Sequence, residues 1–533
     1  MQKTVLKKGI AFIVIFLFVG VSAIPSTSTI VEKKSNILTF NEGSLSGYVN
    51  DTSMNPIEGA RVRVCFHGTY EENFSDSSGY YHVTNIPICN CTKNCTAFKE
   101  GYKSECVWLG IYKNTTYDFV LTHGNTLYVG GSGLNNYTKI QDAIDNASDG
   151  DTVFVYNGTY VENVVVNKSI ELLGEDRNTT IIDGNRSGSA VNITAEEVTI
   201  NGFTVQNGEC SEDGGGILVR GFNSTRIINN IIFNNSILGI NLDDGFGYII
   251  ERNVFISNVI GIECCSSYSA ISYNFFINND KGVKVWGDHN IISYNNFRGC
   301  DSTSIMFGGS DNILTENTIN GSGRGIIYPW GEIHAPSGGV RTIISNNTII
   351  NFDGEYISGI SLYFEPRDNI IVGNVIKGYS AGISLQGRFD TFVDNTIISG
   401  NILQDNGDGI YLLSCRKTNI SGNILQNNAH GIYLLQCWKN SVSYNKIMDN
   451  NEFGIWFYQS NFNKVFKNNF MNNGKNAHLS WLSLKNGWKG NFWDKERESP
   501  YPIIGCINPG AVIKIPWVNF DWHPAQEPYE IGG

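Results

Sequence analysis

One phrase recurs along this chain and restricts its fold more than any other feature. An Asn is followed about eight residues later by Gly-Ile, with an apolar residue two positions beyond. Two consecutive copies read SGNILQDNGDGIYLLSC (399–415) and SGNILQNNAHGIYLLQC (421–437). Gly-Ile or a close relative begins at Gly216, Gly239, Gly261, Gly282, Ser304, Gly325, Gly359, Gly382, Gly409, Gly431 and Gly454, at intervals of 21–23 residues broken only by steps of 34 and 27. Self-similarity in this range means stacked supersecondary units. A turn of that length holds three short strands, and turns stacked about 4.8 Å apart build a right-handed parallel β-helix. Leucine-rich repeats need a Leu-x-x-Leu-x-Leu register that is missing. Helical repeats need longer periods and better helix formers than Asn, Gly and β-branched residues. The Gly is expected to supply a turn conformation that a side chain forbids. The Asn column (Asn230, Asn253, Asn274 and their successors) is expected to tolerate a left-handed or bridging turn and to bond the backbone of the next rung. Both are scaffold roles.

The first residues bear on compartment. Lys3, Lys7 and Lys8 precede an apolar run, Ile10 to Val21, and the small residues Val21-Ser22-Ala23. This is the pattern of a secretory signal peptide over 1–23, with an uncleaved anchor as the alternative. No later run is apolar and long enough to span a bilayer, so no integral membrane domain is expected after cleavage. Without residues 1–23 the chain has 35 basic and 50 acidic residues, a net charge of −15. That balance argues against nucleic acid as a partner, which needs a basic footprint. In an exported chain the 12 Cys point to disulfides. Of 17 Asn-x-Ser/Thr sequons, 13 lie at or before Asn223, which fits either a glycosylated surface or chance in an Asn-rich chain.

Residues 24–42 read as a linker. Residues 43–122 show short alternating apolar runs with turn signals between them, the mark of a small β-sandwich. The pieces Gly47-Tyr48-Val49, Pro56-Ile57-Glu58-Gly59-Ala60-Arg61-Val62, Asp76-Ser77-Ser78-Gly79-Tyr80-Tyr81 and Asp118-Phe119-Val120-Leu121 resemble the carboxypeptidase-regulatory-like domain. The resemblance implies an immunoglobulin-like, transthyretin-like sandwich that is non-catalytic. The loop Cys89-Asn90-Cys91-Thr92-Lys93-Asn94-Cys95 departs from that pattern, and either disulfides or zinc suit its cysteines.

The β-helix is expected over 125–475. A capping helix near 137–147 carries Ile140, Ala143, Ile144 and Ala147 on one face, with Thr138 and Gln141 as a capping box. A solenoid's end rung exposes its core, so one amphipathic helix there has a physical purpose. The passage TKIQDAIDNASDGDTVFVYNGTYVENVVVNKSIELLGE (138–175) resembles the opening of pectin-lyase-like parallel β-helices, close to the NosD-like (CASH-domain) branch. Residues 476–533 form a Trp-rich closing segment. Its Gly490-Asn491-Phe492-Trp493 and Pro500-Tyr501-Pro502-Ile503 resemble the end of NosD-like archaeal surface proteins. In those the intervening stretch is often Asp-rich and suggests calcium. Here it reads Lys495-Glu496-Arg497-Glu498, so no cofactor is expected and calcium lacks support.

Strand alternation sorts inward from outward residues. The first outward column after each Gly is Leu218, Asn241, Glu263, Lys284, Met306, Ile327, Ser361, Ser384, Tyr411, Tyr433 and Trp456. The second includes Arg220, Asp243, Cys265, Leu413, Leu435 and Tyr458. Two patches result. Asp243, Asp244, Glu263, Lys284 and His289, with Arg220, gather toward the N-terminal end of the solenoid. If the chain is an enzyme, Lys284 or His289 is the candidate base, and the carboxylates are candidate acids or cation ligands. The bland reading is a ladder of opposite charges. Toward the C-terminal end, Tyr411, Tyr433, Trp456 and Tyr458 form an aromatic face. It suits sugar rings or cover by the closing segment. Trp330, in the insertion within the 34-residue step, is a further candidate sugar contact. Cys415 and Cys437 occupy equivalent rung positions, and a rung-to-rung disulfide, or failing that a stacked thiol pair, is expected. No metal site is expected.

These observations lead to an exported, secreted or cell-surface protein. The leading function is non-catalytic, binding a polysaccharide or envelope glycan or building an envelope layer. A polysaccharide lyase, epimerase or glycoside hydrolase acting at the charged patch is the alternative. Copper-processing accessory work is a third reading, disfavoured by only 5 Met and 8 His that do not cluster.

Overall fold

The computed structural model describes residues 42–531, apart from 67–68, 90–91, 100, 104, 210–213, 322, 329–338, 353–356, 389–390, 495–499 and 508–514. The expected signal peptide, residues 24–41 of the expected linker, Trp330 and the 495–498 stretch lie outside the described residues. Among the described residues no helix is long and apolar enough to cross a membrane.

From Thr126 onward the chain winds through three long sheets of 16, 15 and 16 strands. Each sheet for the most part takes every third strand; consecutive strands pair at the two ends, Thr126–Val129 with Thr152–Val155 at the start and the closing hairpin at the finish. This is a parallel β-helix. Most strands are three to six residues long, and their interior is built from one or two side chains each. Ile240 and Leu242, Ile410 and Leu412, and Ile432 and Leu434 are all fully buried in the third sheet. Ile250, Ile271 and Ile398 fill the first sheet's side of the core, and Phe255, Phe276 and Leu403 the second's.

The Gly of the rung phrase is needed for closeness rather than for a turn angle. None of Gly239, Gly261, Gly409 or Gly431 is among the residues with positive φ. A Cβ on Gly431 would lie 2.5 Å from the carbonyl oxygen of Gly454 and 2.8 Å from Ile447 Cγ2. Successive rungs thus pass each other closely at this position, and only Ser304 of the recurring series carries a side chain there. The left-handed residue is instead the one just before the ladder Asn, as at Arg252 (φ 57°), Tyr273 (φ 56°), Gly422 (φ 67°) and Lys467 (φ 56°).

The Asn column is a hydrogen-bond ladder. Asn253 Oδ1 accepts the backbone N–H of Asn230 (2.8 Å), and Asn253 Nδ2 donates to the carbonyl of Ile227 on the preceding rung (2.7 Å). The pattern continues without a break from Asn230 to Asn491. It satisfies buried backbone groups at each corner, where strand pairing lapses. The last donor groups meet a carboxylate. Asp521, fully buried, accepts from Asn491 N (2.9 Å), Asn491 Nδ2 (3.0 Å) and Trp493 Nε1 (3.2 Å) at Oδ2, and from Gly490 N (3.0 Å) at Oδ1. The antiparallel hairpin Tyr501–Ile507 with Ile515–Asp521 delivers it.

At the other end, helix α1 (Ile140–Asn146) buries Ile140, Ala143 and Ile144 against the first rungs. It is shorter than the expected 137–147, and the expected capping box is absent. No side chain caps from position 139. Glu162, on the rung that follows, accepts the N–H groups of Ile140 (3.0 Å) and Gln141 (3.1 Å) instead. A carboxylate opposing the helix dipole does this better than the amide of Gln141. That amide is used elsewhere, with Oε1 accepting the N–H of Val165.

Ahead of the solenoid two small sheets, of five and four strands, face each other. Leu45, Val49, Val62, Val64, Tyr81, Val83, Phe119 and Leu121 fill the space between them. Cys95 is buried there as well.

Candidate functional site

The strand register sets out the charged patch. In the third sheet Arg220 pairs with Asp243, and Asn241, Glu263, Lys284 and Met306 follow one another on successive rungs. The charges then neutralise one another. Arg220 Nε lies 3.1 Å from Asp243 Oδ2, and Lys284 Nζ lies 2.9 Å from Glu263 Oε1. Lys284 also sits 5.3 Å from the Trp286 ring. Asp244 follows Asp243 on the same strand but adopts a left-handed backbone (φ 56°) and is exposed. His289 does not join this group. It lies in the turn entering the first sheet, stacked on Tyr268 at 4.7 Å and 11°, with Nε2 3.9 Å from Asp311. Lys284 lies on the third-sheet strand Lys281–Val285, whereas His289 stands beyond it, just before the first-sheet strand Ile291–Ser293. Cys265 borders the patch. Packing, then the Glu263 and Asp243 charges, hold its thiol up to about 12.

The aromatic face lies in register as well, running Tyr411, Tyr433, Trp456, His478. All three aromatic residues and Tyr458 are half-buried. Tyr433 and Trp456 stack at 4.4 Å and 7°, so their faces are taken up by each other and their edges point outward. Tyr411 is tilted by 59° against Tyr433, and Tyr458 stands at 79° to Trp456. These two rings leave the stack. Trp456 Nε1 donates to Ser480 Oγ (2.6 Å). Burial pushes the Tyr433 phenol up to about 12.

A second column beside this face carries chemistry that the sequence reading missed. Asp408, His430, Phe453 and Lys475 succeed one another on adjacent rungs. His430 Nδ1 lies 2.6 Å from Asp408 Oδ1, and Nε2 lies 3.3 Å from Glu452 Oε2. The imidazole stacks on Phe453 (5.5 Å, 8°) and tilts toward Trp456. Burial alone would lower the pKa of His430. The Asp408 hydrogen bond and the Asp408 and Glu452 charges outweigh it and raise the value. Two rungs on, burial lowers the pKa of His478, and nearby Lys475 adds to this. The signal was available: Asp408 and His430 each stand immediately before the phrase Gly, one rung apart.

One further expectation needs correction. Cys415 and Cys437 are both buried free thiols rather than a disulfide. Parallel in-register rungs hold equivalent Cβ atoms near 4.8 Å apart, beyond the roughly 3.8 Å that a bridge prefers. Each thiol donates instead to backbone carbonyls, Cys415 to Leu413 (3.4 Å) and Cys437 to Leu412 (3.4 Å). The start of the closing segment meets the edge of the aromatic face, with Ser480 accepting from Trp456 Nε1 and Trp481 lying 5.6 Å from Tyr458, while its tail docks elsewhere. Tyr529 exchanges hydrogen bonds with the Asn469 side chain and meets Tyr444 edge-on.

The family described as Periplasmic copper-binding protein (NosD) matches residues 144–326 and 310–505. A "Cell surface glycoprotein" of Methanothermus fervidus is 30% identical over 275 residues, 51% of this chain and 38% of that protein. The chain thus spans well under half the length of this relative. Among solved structures, the Dettilon tailspike protein is similar at a TM-score of 0.41 and 15% identity, covering 58% of this chain and 68% of its own. The catalytic domain of a GH87 alpha-1,3-glucanase in complex with nigerose is similar at a TM-score of 0.44 and 13% identity, covering 85% and 89%. Copper does not fit the residues in view. Among the described residues no group of three or more His, Cys, Asp or Glu is placed to hold a metal ion. His430 turns its two nitrogens to different carboxylates, and the two stacked thiols are engaged with carbonyls.

Proposed function

We propose, on the premise that this chain belongs to the NosD family, that it is an exported surface protein that binds a polysaccharide or envelope glycan without cleaving it. The Lys-flanked apolar N-terminus, the 17 sequons and the cell-surface name of the Methanothermus relative support an extracellular place. The observation that carries the binding reading is the aromatic face. Tyr411 and Tyr458 turn away from the ring stack, and polar groups of His430, Asp408 and Glu452 lie alongside. Flat apolar rings next to a few directed polar groups are the usual make-up of a ligand-orienting surface. The paired charges at Asp243 and Glu263 speak against that patch as an active site, because each is already answered by a cation on the neighbouring rung.

The test is glycan-array binding of the intact chain beside its Tyr411→Ala and Tyr458→Ala variants. The expected result is retained glycan that both variants weaken. Binding that ignores both substitutions would move the function off this face.

One observation favours a catalytic second reading. His430 between two carboxylates has the components of an acid–base relay. An ultraviolet assay for unsaturated uronide product, with a reducing-end assay for hydrolysis, separates the readings. Turnover lost in His430→Ala would establish catalysis there.

A further inference from the structure

A groove of about 670 Å³ lies between the four-stranded sheet of the N-terminal sandwich and the first sheet of the solenoid. Its solenoid wall extends from Thr152 to Ile291, six rung steps along one register column. At about 4.8 Å per step this is roughly 29 Å, the length of an extended chain rather than of a single small molecule. The sandwich wall follows from alternation. Val62 and Val64 point into the sandwich core, so Arg61 and Arg63 face the groove, with Tyr70, Phe98 and Trp108 on neighbouring strands. Trp108 is 57% exposed despite its size.

Charge in the groove runs against the rest of the molecule. The chain as a whole has 50 acidic and 38 basic residues. The groove is lined by Arg61, Arg63, Lys93, Lys103 and Arg226, opposed by Glu171 and Glu197. Some of that charge is already answered within the wall: Arg63 is paired with Glu72 at 2.8 Å and lies over the Tyr70 ring at 3.8 Å. Arg226 is different. It crosses from the solenoid to lie 5.0 Å from the Phe98 ring, whose other neighbour is Arg61 at 5.3 Å. Its Nε is buried without a hydrogen-bond partner among the described residues, and so is Nδ1 of His289 at the far end of the groove. Burial lowers the Arg226 pKa to about 10, against a smaller opposing pull from Glu251. A largely buried guanidinium set against one aromatic ring, with its Nε unbonded, is costly unless something anionic completes it.

We infer that this groove binds an extended anionic glycan, a chain bearing carboxylate, sulfate or phosphate groups, with Arg226 as the central anion contact and Trp108 and Phe98 as ring contacts. The inference rests on the reading of the chain as a glycan binder and adds a second site with a different ligand class. An aromatic, basic groove also has the general make-up of a single-strand nucleic-acid site, and that occupant is an outcome of the test.

The experiment uses the full chain with oligogalacturonate, a neutral maltooligosaccharide of equal length and oligodeoxythymidine, by titration calorimetry at two salt concentrations. Oligogalacturonate is expected to bind most tightly, and more weakly at higher salt. Arg226→Gln should weaken it about tenfold or more, the worth of one charge-assisted hydrogen bond. Trp108→Ala, at an exposed position that does not endanger folding, should weaken it as well. Leu134→Ala, fully exposed and outside both the groove and the aromatic face, should leave it unchanged. Equal affinity for the neutral sugar, preference for oligodeoxythymidine, or indifference to both Arg226→Gln and Trp108→Ala would overturn the groove assignment alone. Failure to retain any glycan would overturn the broader reading with it.

Discussion

Replacing Asp521 tests how the solenoid is closed. The ladder that starts at Asn230 ends at Asn491, whose N–H and Nδ2 both donate to Asp521 Oδ2 together with Trp493 Nε1. Asp521 is fully buried, and so in effect are Asn491 and Trp493. Asp521→Ala removes the acceptor and leaves three buried donors. Each unsatisfied buried donor costs about 1–3 kcal/mol. Because the three share one neighbourhood their costs do not simply add, and about 4–6 kcal/mol is the expected total. Asp521→Asn keeps one oxygen for the three donors but turns an NH2 toward Gly490 N–H, so about 1–3 kcal/mol is expected. In a solenoid each rung is coupled mainly to its neighbours, so the damage should stay local. Native-state hydrogen exchange resolves it. Asp521→Ala should speed exchange roughly a thousandfold at Asn491 and Phe492, the equivalent of about 4 kcal/mol. Asp521→Asn should do much less, and amides near Asn253 should keep their wild-type rates. Unchanged exchange at Asn491 in Asp521→Ala, or equal loss at Asn253, would refute this account of the closing carboxylate.

Other consequences can be checked separately. His430 should titrate above 6.5 by NMR and drop in Asp408→Asn, because the hydrogen bond and charge of Asp408 oppose the effect of burial. Since its folded value is raised, its contribution to stability is complete below about 6.5 and is lost as pH rises through the folded value. Non-reducing peptide mapping should find Cys415 and Cys437 as free thiols that alkylate only after unfolding. Cys265, though exposed, should alkylate more slowly than free cysteine, because packing and two nearby carboxylates hold its thiol up to about 12. Gly431→Ala should cost about 2–3 kcal/mol through overpacking, since its Cβ would press on the Gly454 carbonyl at 2.5 Å. A stability equal to wild type would mean the rungs part easily at that corner.

Much of the solenoid was legible because its information is periodic. Counting from each Gly placed Glu263 beside Lys284 and Tyr433 beside Trp456, and the register pairs those same residues. What spacing does not carry is which group meets which across a bend or across the chain. The role of Gly was misread because conformational freedom and close approach leave the same residue in the sequence; only the distance from Gly431 to Gly454 separates them. Cys415 and Cys437 were placed correctly on adjacent rungs, but parallel Cβ directions defeat a bridge that equal spacing suggests. The Glu162 cap on α1 and the Asp521 closure each join residues whose sequence separation has no repeat behind it, whereas Asp408 and His430 stand one rung period of 22 residues apart. The groove is the extreme case, because half of it comes from the sandwich and half from the solenoid.

The central claim is that the chain holds a glycan without transforming it. Incubating the full chain with a mixed pool of neutral and uronic-acid oligosaccharides, then identifying bound and free sugars by mass spectrometry, tests it most directly. The account predicts a glycan recovered intact on the protein and an unbound pool of unchanged chain lengths. Shortened or unsaturated products, or a pool from which nothing is retained, would contradict it.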